Sequence, residues 1–243
     1  MRKIFVKTKN VKQMVSMLNR LRDRGEGIPG MGLIYGEPGL GKTYAITWWS
    51  AQNDAILIRS ANLMSARWLL EEIVEELGEI PYNKYSDIFN QVVSQLLKTP
   101  KTIIVDEIDY LTIDSRAVET LRDIHDKTDV PIVLVGMATA NKRLQRHKHL
   151  YDRLLEIIKF EPFCKQDINE IIDQLSEITF TDCAKKLLFS KTNRFRQIVK
   201  TITKAEQLAK ANGIKEIDEI TLKEVLTDGS IDDETDNFRN EVA

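Results

Sequence analysis

The most constraining feature of the chain is a glycine-rich octapeptide at residues 36–43, which lies between a short apolar run and a helical pattern. The apolar run at residues 32–35 contains side chains that favour strands, and turn-forming residues follow it directly. A strand, a glycine-rich turn and a helix in immediate succession are typical of folds in which helices cover a parallel sheet. The octapeptide and its neighbours therefore predict an α/β fold.

Four further runs of the same type extend this prediction along the first two thirds of the chain. They occupy residues 55–59, 102–105, 131–135 and 156–160. Helical patterns separate them, as at residues 66–77, where apolar side chains recur at helical spacing opposite four glutamates. We therefore expect a five-stranded parallel sheet between helices.

A smaller second domain is expected after the last strand. The β-type runs stop after Phe160, and Pro162 marks the change to helical patterns alone. From residue 229 onward acidic side chains dominate and apolar ones are few, which is typical of a disordered tail. The expected organisation is an α/β domain with a short N-terminal segment (residues 1–162), a small all-α domain (163–228) and an acidic, disordered tail (229–243).

The charges of the 243 residues nearly cancel, because 35 basic and 37 acidic side chains leave a formal net charge of −2. A nucleic-acid partner would therefore need a local basic patch. The two cysteines, Cys164 and Cys183, are too few for a disulfide framework, which favours a reducing, cytoplasmic compartment. No apolar run approaches the ~18 residues needed to cross a bilayer, so we expect no membrane partner.

The octapeptide has the spacing of a P-loop that binds ATP. Its glycines allow the backbone to curl so that N–H groups converge on phosphate oxygens. The Lys42 ammonium would reach the β- and γ-phosphates, and the Thr43 hydroxyl would ligate Mg²⁺. The residues predicted to hold the nucleotide in this loop are Gly36, Glu37, Pro38, Gly39, Leu40, Gly41, Lys42 and Thr43.

A pair of carboxylates supports the same interpretation. The apolar strand at residues 102–105 ends in Asp106 and Glu107. Asp106 would hold Mg²⁺ together with Thr43, while Glu107 would orient or deprotonate the attacking water. Two acids at a strand end can also be solubilising residues. Some 60 residues after a P-loop, they indicate ATP hydrolysis.

The P-loop, the box Asp106-Glu107-Ile108-Asp109 and the helical C-terminal part together resemble the AAA+ class of P-loop ATPases. The resemblance implies an AAA+ core followed by an all-α lid domain. More narrowly, residues 32–43, 106–111 and 121–126 resemble the ATPases of Mu-like transposable phages, the Mu B target-selection family. This narrower resemblance implies an ATP-dependent homo-oligomeric filament on duplex DNA, which delivers the DNA to a transposase or activates the transposase. The location would be the cytoplasm, and the host's cytoplasm if the chain is phage-encoded.

The AAA+ resemblance also implies two arginine roles. Arg153, just before the fifth strand, would be the finger that reaches a neighbouring subunit's γ-phosphate, with Arg143 and Arg146 as reserve candidates. Arg196, or alternatively Arg194, would sense the nucleotide from the lid. Such a finger offsets the charge that builds up on the transferring phosphoryl group.

The segment after the fourth strand departs from the AAA+ pattern. Many members place a polar sensor residue after the fourth strand, where this chain has Met137. A methionine cannot hold a water for attack. Either Thr139 or Asn141 takes that role, or hydrolysis is slow.

Contact with DNA would require a basic surface, and the densest basic run lies at residues 142–149. Such a run can also be a solvated face, and this segment must in addition position Arg153. No helix-turn-helix pattern precedes the P-loop, so we expect binding without sequence preference and with strong salt dependence. The residues predicted to contact DNA are Arg67, Lys84, Lys142, Arg143, Arg146 and Lys148.

Two other functions stay open from the sequence. One is an AAA+ motor that acts on protein complexes in secretion or replication. The other is a nucleotide switch that hardly hydrolyses ATP, which Met137 suggests. His125 lies among charged residues on a predicted helix, so we expect it to make a surface hydrogen bond.

Overall fold

The computed structural model describes residues 1–25, 27–113 and 115–227, and the acidic segment at 229–243 lies outside these residues. The chain divides into two compact units. One is the α/β unit Asn10–Glu161, and the other is a helical unit made of Met1–Lys9 and the residues from Pro162 onward. The sequence analysis assigned the first residues to the α/β domain, whereas the structure groups them with the helices because their contacts are long-range.

The α/β unit contains the five predicted strands, all parallel, in the order β2-β3-β4-β1-β5. The strands are β1 Met31–Gly36, β2 Ile56–Arg59, β3 Ile103–Asp106, β4 Ile132–Gly136 and β5 Leu154–Phe160. The helices are α1 Lys9–Arg22, α2 Lys42–Asn53, α3 Ala66–Glu76, α4 Tyr85–Lys98, α5 Ser115–Thr128, α6 Ala138–Leu144 and α7 Lys148–Tyr151, with a 3₁₀ turn at Leu111–Ile113. The prediction of a five-stranded parallel sheet between helices is confirmed.

The central strands are buried on both faces, which explains their nearly continuous apolar sequence. Leu33 and Leu134 join a core with buried residues of α3, α4 and α5. On the opposite face α1 packs so closely that a β-carbon at Gly32 would lie 2.1 Å from the Met17 terminal methyl and 2.7 Å from a Leu21 methyl. Glycine at position 32 therefore permits the close contact between α1 and the sheet.

The strand order decides where the loops meet. The carboxyl ends of parallel strands share one edge of the sheet, and β4 lies between β1 and β3. The residues that follow β4 are therefore flanked by the octapeptide after β1 and by the acidic box after β3. The amino ends of the strands lie at the opposite edge.

His125 is buried, not at the surface as expected, with an exposed fraction of 4%. Its Nε2 accepts a hydrogen bond from the Gly30 N–H at 3.1 Å, so Nδ1 carries the proton and donates it to the Val130 carbonyl at 2.9 Å. The surrounding charges suggested exposure, but the side chain lies on the inner face of α5. It ties the end of α5 to the segments that enter β1 and β4.

Replacing His125 by alanine is expected to lower the free energy of unfolding by about 2–4 kcal/mol, because two buried backbone groups lose their partner and a cavity remains. Urea denaturation would measure the change. His149→Ala is the control, since His149 is exposed and its replacement should leave stability nearly unchanged. Equal stability of the two variants would contradict the structural role of His125.

The helical unit contains α8 Lys165–Leu175, α9 Asp182–Lys191, α10 Phe195–Ala211 and a helix over residues 219–227. It also contains a parallel pair of two-residue strands, β6 Thr179–Phe180 and β7 Glu216–Ile217, where only helices were expected. A two-residue strand is too short to leave a periodic pattern. Phe180 and Ile217 place their side chains in the core of this unit, and Val6 from the N-terminal segment joins them.

No helix within the described part of the chain is both long and apolar enough to cross a membrane.

Candidate functional site

The octapeptide forms the turn between β1 and α2. Gly39 and Gly41 have φ values of +82° and +86°, a left-handed conformation that side chains other than glycine rarely adopt. Gly41 is the N-cap of α2, so the turn leads directly into the first helical amides. Such a helix start carries a partial positive charge and presents N–H donors, which suits an anion such as phosphate.

Lys42 folds back over this turn. Its Nζ donates hydrogen bonds to the carbonyl oxygens of Gly36 at 2.7 Å and Glu37 at 2.9 Å. Burial lowers the pKa of Lys42, while the nearby charges of Asp106, Asp109 and Glu37 oppose that shift. The ammonium is thus held inside the curve of the loop, where phosphate oxygens could replace the two carbonyls as its partners.

Thr43 and Asp106 bring two oxygen ligands together. The Thr43 hydroxyl donates to Asp106 Oδ2 at 2.8 Å, and Asp106 is 3% exposed. Its other oxygen, Oδ1, accepts the Glu107 backbone N–H at 2.9 Å, which orients the carboxylate. A hydroxyl and a carboxylate beside a phosphate-binding loop are the donors that Mg²⁺ prefers, so these residues fit the predicted metal.

Glu107 begins a sharp turn after β3. Its φ of +56° is uncommon for a residue with a side chain and is often found at functional sites. The turn is closed by the Tyr110 N–H, which donates to the Glu107 carbonyl at 3.1 Å. The Ile108 N–H donates to the Val135 carbonyl at 2.9 Å, so β4 supports the turn from the side. The candidate base therefore lies on a constrained backbone.

Asp109 connects the acidic box to the residues after β4, a role that the sequence analysis did not assign. Its buried carboxylate accepts the Met137 N–H at 2.6 Å and the Thr139 hydroxyl at 2.8 Å, and its carbonyl accepts Arg143 Nη1 at 3.1 Å. Of the two candidate sensor replacements, Thr139 is thus bound to Asp109. The other, Asn141, accepts a long hydrogen bond of 3.4 Å from the Tyr151 hydroxyl. The sequence signal that could have indicated this role was the position of Asp109, a third acid three residues after Asp106.

Arg153 lies at the opposite edge of the sheet from the P-loop. Its carbonyl accepts the Met31 N–H at 3.2 Å, at the start of β1, whereas Gly36 ends that strand. The five steps between Met31 and Gly36 span about 17 Å at ~3.3 Å per residue. Arg153 therefore lies far from the P-loop of its own chain.

The Arg153 guanidinium forms two hydrogen bonds with the Asp126 carboxylate, at 2.8 Å and 3.3 Å. These bonds raise the pKa of Arg153 and lower the pKa of Asp126. Both side chains stay partly exposed, at 42% and 36%. Asp126 lies near the end of α5, next to the buried His125.

Four of the six predicted DNA-contacting residues lie in one segment, on α6, on α7 and between them. All four of these residues are exposed, namely Lys142, Arg143, Arg146 and Lys148. Arg143 also donates a hydrogen bond to the Asp109 carbonyl. The other two lie in the crossover between β2 and β3. There Arg67 pairs with Glu71 at 2.7 Å, and Lys84 is the N-cap of α4.

The two lid candidates lie at the start of α10 in the helical unit. Arg194 is the N-cap of α10, and Arg196 is the second residue of the helix. Both side chains are exposed. Their role toward a nucleotide stays a prediction.

Comparison with known proteins agrees with this geometry. Residues 27–144 match the family described as AAA domain. A "potential ATP-binding protein" of Staphylococcus aureus is 24% identical over 229 residues, covering 77% of this chain and 83% of the relative.

Among solved structures, the Aeropyrum pernix ORC2 protein in its ADPNP–ADP complexes is similar with a TM-score of 0.71 and 16% identity, over 92% of this chain and 68% of that chain. The Aeropyrum pernix ORC1 protein in complex with DNA has a TM-score of 0.63 and 12% identity, over 93% and 66%. The Thermotoga maritima RuvB Holliday junction branch migration motor has a TM-score of 0.62 and 16% identity, over 92% and 70%. This chain thus spans about two thirds of each solved chain.

The fold is that of AAA+ P-loop ATPases, as the sequence resemblance implied. The residues that match the AAA domain family contain β1 to β4, the glycine-rich octapeptide, the acidic box and the turn after β4.

Proposed function

We propose that the chain is an ATPase whose active site is completed by a second copy of the chain, and that its ATP-bound form assembles on duplex DNA without sequence preference. The observation that carries this proposal is the separation of two groups within one α/β unit. The P-loop lies at the carboxyl edge of the sheet, whereas Arg153 lies at the amino edge. A head-to-tail neighbour can bring the two together, and one chain by itself cannot.

The residues at the carboxyl edge divide the chemistry among them. The loop amides and Lys42 bind and orient the phosphates, and Thr43 and Asp106 hold Mg²⁺. Mg²⁺ held by these two residues would neutralise negative charge on the phosphates. Glu107 orients the attacking water and accepts its proton. Arg153 of the neighbouring copy then offsets the charge that develops on the γ-phosphoryl group.

This arrangement makes the nucleotide part of the interface between copies. ATP contributes to assembly because its γ-phosphate contacts groups from both copies. Hydrolysis removes that contact, so assembly becomes less favourable by the free energy that the contact contributed. Disassembly therefore follows turnover.

The exposed cations Lys142, Arg146 and Lys148 support the DNA part of the proposal, because they offer a local basic patch on a chain of nearly neutral charge. The fold-related ORC1 protein was solved in complex with DNA. The narrowest part, delivery of target DNA to a transposase in the cytoplasm, has its support in the resemblance of residues 32–43, 106–111 and 121–126 to the Mu B family.

A second candidate is an AAA+ motor or slow nucleotide switch that acts on protein complexes, as in secretion or replication. One observation favours the switch. Met137, which is 48% exposed, follows β4 between the P-loop and the acidic box, and Asp109 already binds the Thr139 hydroxyl. A polar side chain for the attacking water is then missing from the usual position.

Electron microscopy of the protein with duplex DNA tests the proposal, with a non-hydrolysable ATP analogue compared against ADP. We expect filaments on DNA with the analogue only. Lys42→Ala should abolish them, because loss of this ammonium weakens ATP binding by at least about 30-fold. Lys12→Ala is the matched control, since Lys12 is exposed on α1.

Two other results would favour the second candidate. Rings that form equally with and without DNA would favour a motor that acts on protein complexes. Tight ATP binding with no measurable turnover, whether or not DNA is present, would indicate the switch. Filaments that survive Lys42→Ala would contradict nucleotide control of assembly.

A further inference from the structure

The ion pair with Asp126 occupies the Arg153 guanidinium, which is the group that the proposed function needs at the nucleotide of the neighbouring copy. Two guanidinium nitrogens face the two carboxylate oxygens, at 2.8 Å and 3.3 Å. While this pair is intact, the Nε–Nη2 edge of the guanidinium is occupied, and a phosphate of the next copy meets only the remaining donors. Paired binding of that phosphate by the Nε–Nη2 edge therefore requires a change of partner.

Asp126 is held on a rigid part of the α/β unit. The preceding residue, His125, is buried and bonded to the Gly30 N–H and the Val130 carbonyl. The Arg153 backbone is fixed at the same edge, because its carbonyl accepts the Met31 N–H. Both partners are thus positioned by the backbone around them, so the ion pair is a property of the folded single chain.

Among the described residues, Asp126 is the carboxylate that accepts the Arg153 hydrogen bonds, whereas Asp152, next to Arg153 in the chain, acts on it by charge. Arg122 lies 3.9 Å from Asp126 and has partners of its own in Glu119 and Asp123. Neutralising Asp126 would therefore free Arg153 and leave Arg122 paired. Asp123, on the same helix, offers a comparison, since its recorded bonds go to Arg122.

We propose that Asp126 is a positioning residue that holds Arg153 in the single chain and releases it only when the polyphosphate of a neighbouring copy replaces the carboxylate. The inference rests on the proposed role of Arg153 between copies. A polyphosphate presents paired anionic oxygens as a carboxylate does, with more charge, so a guanidinium can exchange one for the other. A partly exposed ion pair is weak enough for this exchange. Asp126 thereby competes with the neighbouring triphosphate for Arg153 and weakens ATP-dependent assembly.

Asp126→Asn tests this, because it removes the charge with little change in volume. We expect ATP-dependent self-association at a protein concentration about two- to fivefold lower than for the unmodified chain, measured by analytical ultracentrifugation. ATP turnover at a fixed, low protein concentration should rise in parallel. Association in ADP should not change. Asp123→Asn should behave as the unmodified chain, and Asp126→Ser provides a second neutral variant if the asparagine variant folds poorly.

The outcomes separate this inference from the proposed function. If Arg153→Ala leaves both association and turnover unchanged, the role of Arg153 between copies is wrong and the inference fails with it. If Arg153→Ala impairs both but Asp126→Asn matches Asp123→Asn, only the inference is overturned. Loss of activity in Asp126→Asn would also overturn it, because Asp126 would then orient Arg153 productively. When Arg153→Ala is already present, adding Asp126→Asn should change neither association nor turnover any further.

Discussion

Glu107→Gln is expected to lower ATP turnover at least about 100-fold while leaving ATP binding nearly unchanged. The amide can still contact a water but cannot accept its proton. Phosphate binding should persist because Lys42, Thr43 and Asp106 are untouched, and the glutamine keeps the size of the side chain. Steady-state turnover and titration with a fluorescent ATP analogue would measure the two effects separately.

Glu79→Gln, at an exposed position after α3, is the matched control for the loss of one carboxylate. Filaments of the Glu107 variant on DNA should persist in ATP itself, since hydrolysis no longer removes the γ-phosphate. Near-normal turnover of Glu107→Gln would show that a group other than Glu107 is the base. Equal loss of ATP binding and turnover would instead indicate a damaged P-loop.

Arg153→Ala is expected to reduce turnover by about 10³-fold under conditions of assembly, as for arginine fingers in other P-loop enzymes. ATP binding by single copies should be unchanged, because Arg153 lies at the amino edge of the sheet, far from its own P-loop. Arg22→Ala is a control with an exposed arginine at the end of α1. Turnover and ATP binding would be measured over a range of protein concentrations.

Mixing two inactive variants tests whether Arg153 acts between copies. An Arg153→Ala copy keeps an intact P-loop, and a Lys42→Ala copy keeps its arginine. Where the first meets the second, one complete site forms, so the mixture should recover a fraction of the turnover that neither variant shows. A mixture as inactive as its components would place the action of Arg153 within one chain or outside catalysis.

Local sequence patterns were sufficient for the α/β unit. Each of the five strands is a run of side chains that favour strands, and each is bounded by turn residues, so neighbouring positions specify it. The P-loop could be recognised for the same reason, because Gly39 and Gly41 meet a backbone requirement within eight residues. Asp106 and Glu107 followed from their place at a strand end.

Contacts between distant segments could not be derived in this way. Asp109 acquires its role only because β4 lies beside β3, which brings Met137 and Thr139 to its carboxylate. His125 carries the charged surroundings of a surface residue, yet the packing of α5 buries it. The two-residue strands β6 and β7 pair across more than thirty residues, too far for a local signal.

The sequence by itself determined the class of fold, the glycine-rich loop after β1 and the acidic pair, because each depends on the chemistry and spacing of adjacent residues. Tertiary structure alone decided that Arg153 faces Asp126 at the edge opposite the P-loop, and that Met1–Lys9 groups with the helical unit. Those facts depend on strand order and on side chains far apart in the chain. Burial and charge pairing are properties of the assembled fold, whereas turn geometry and periodicity are already present in the sequence.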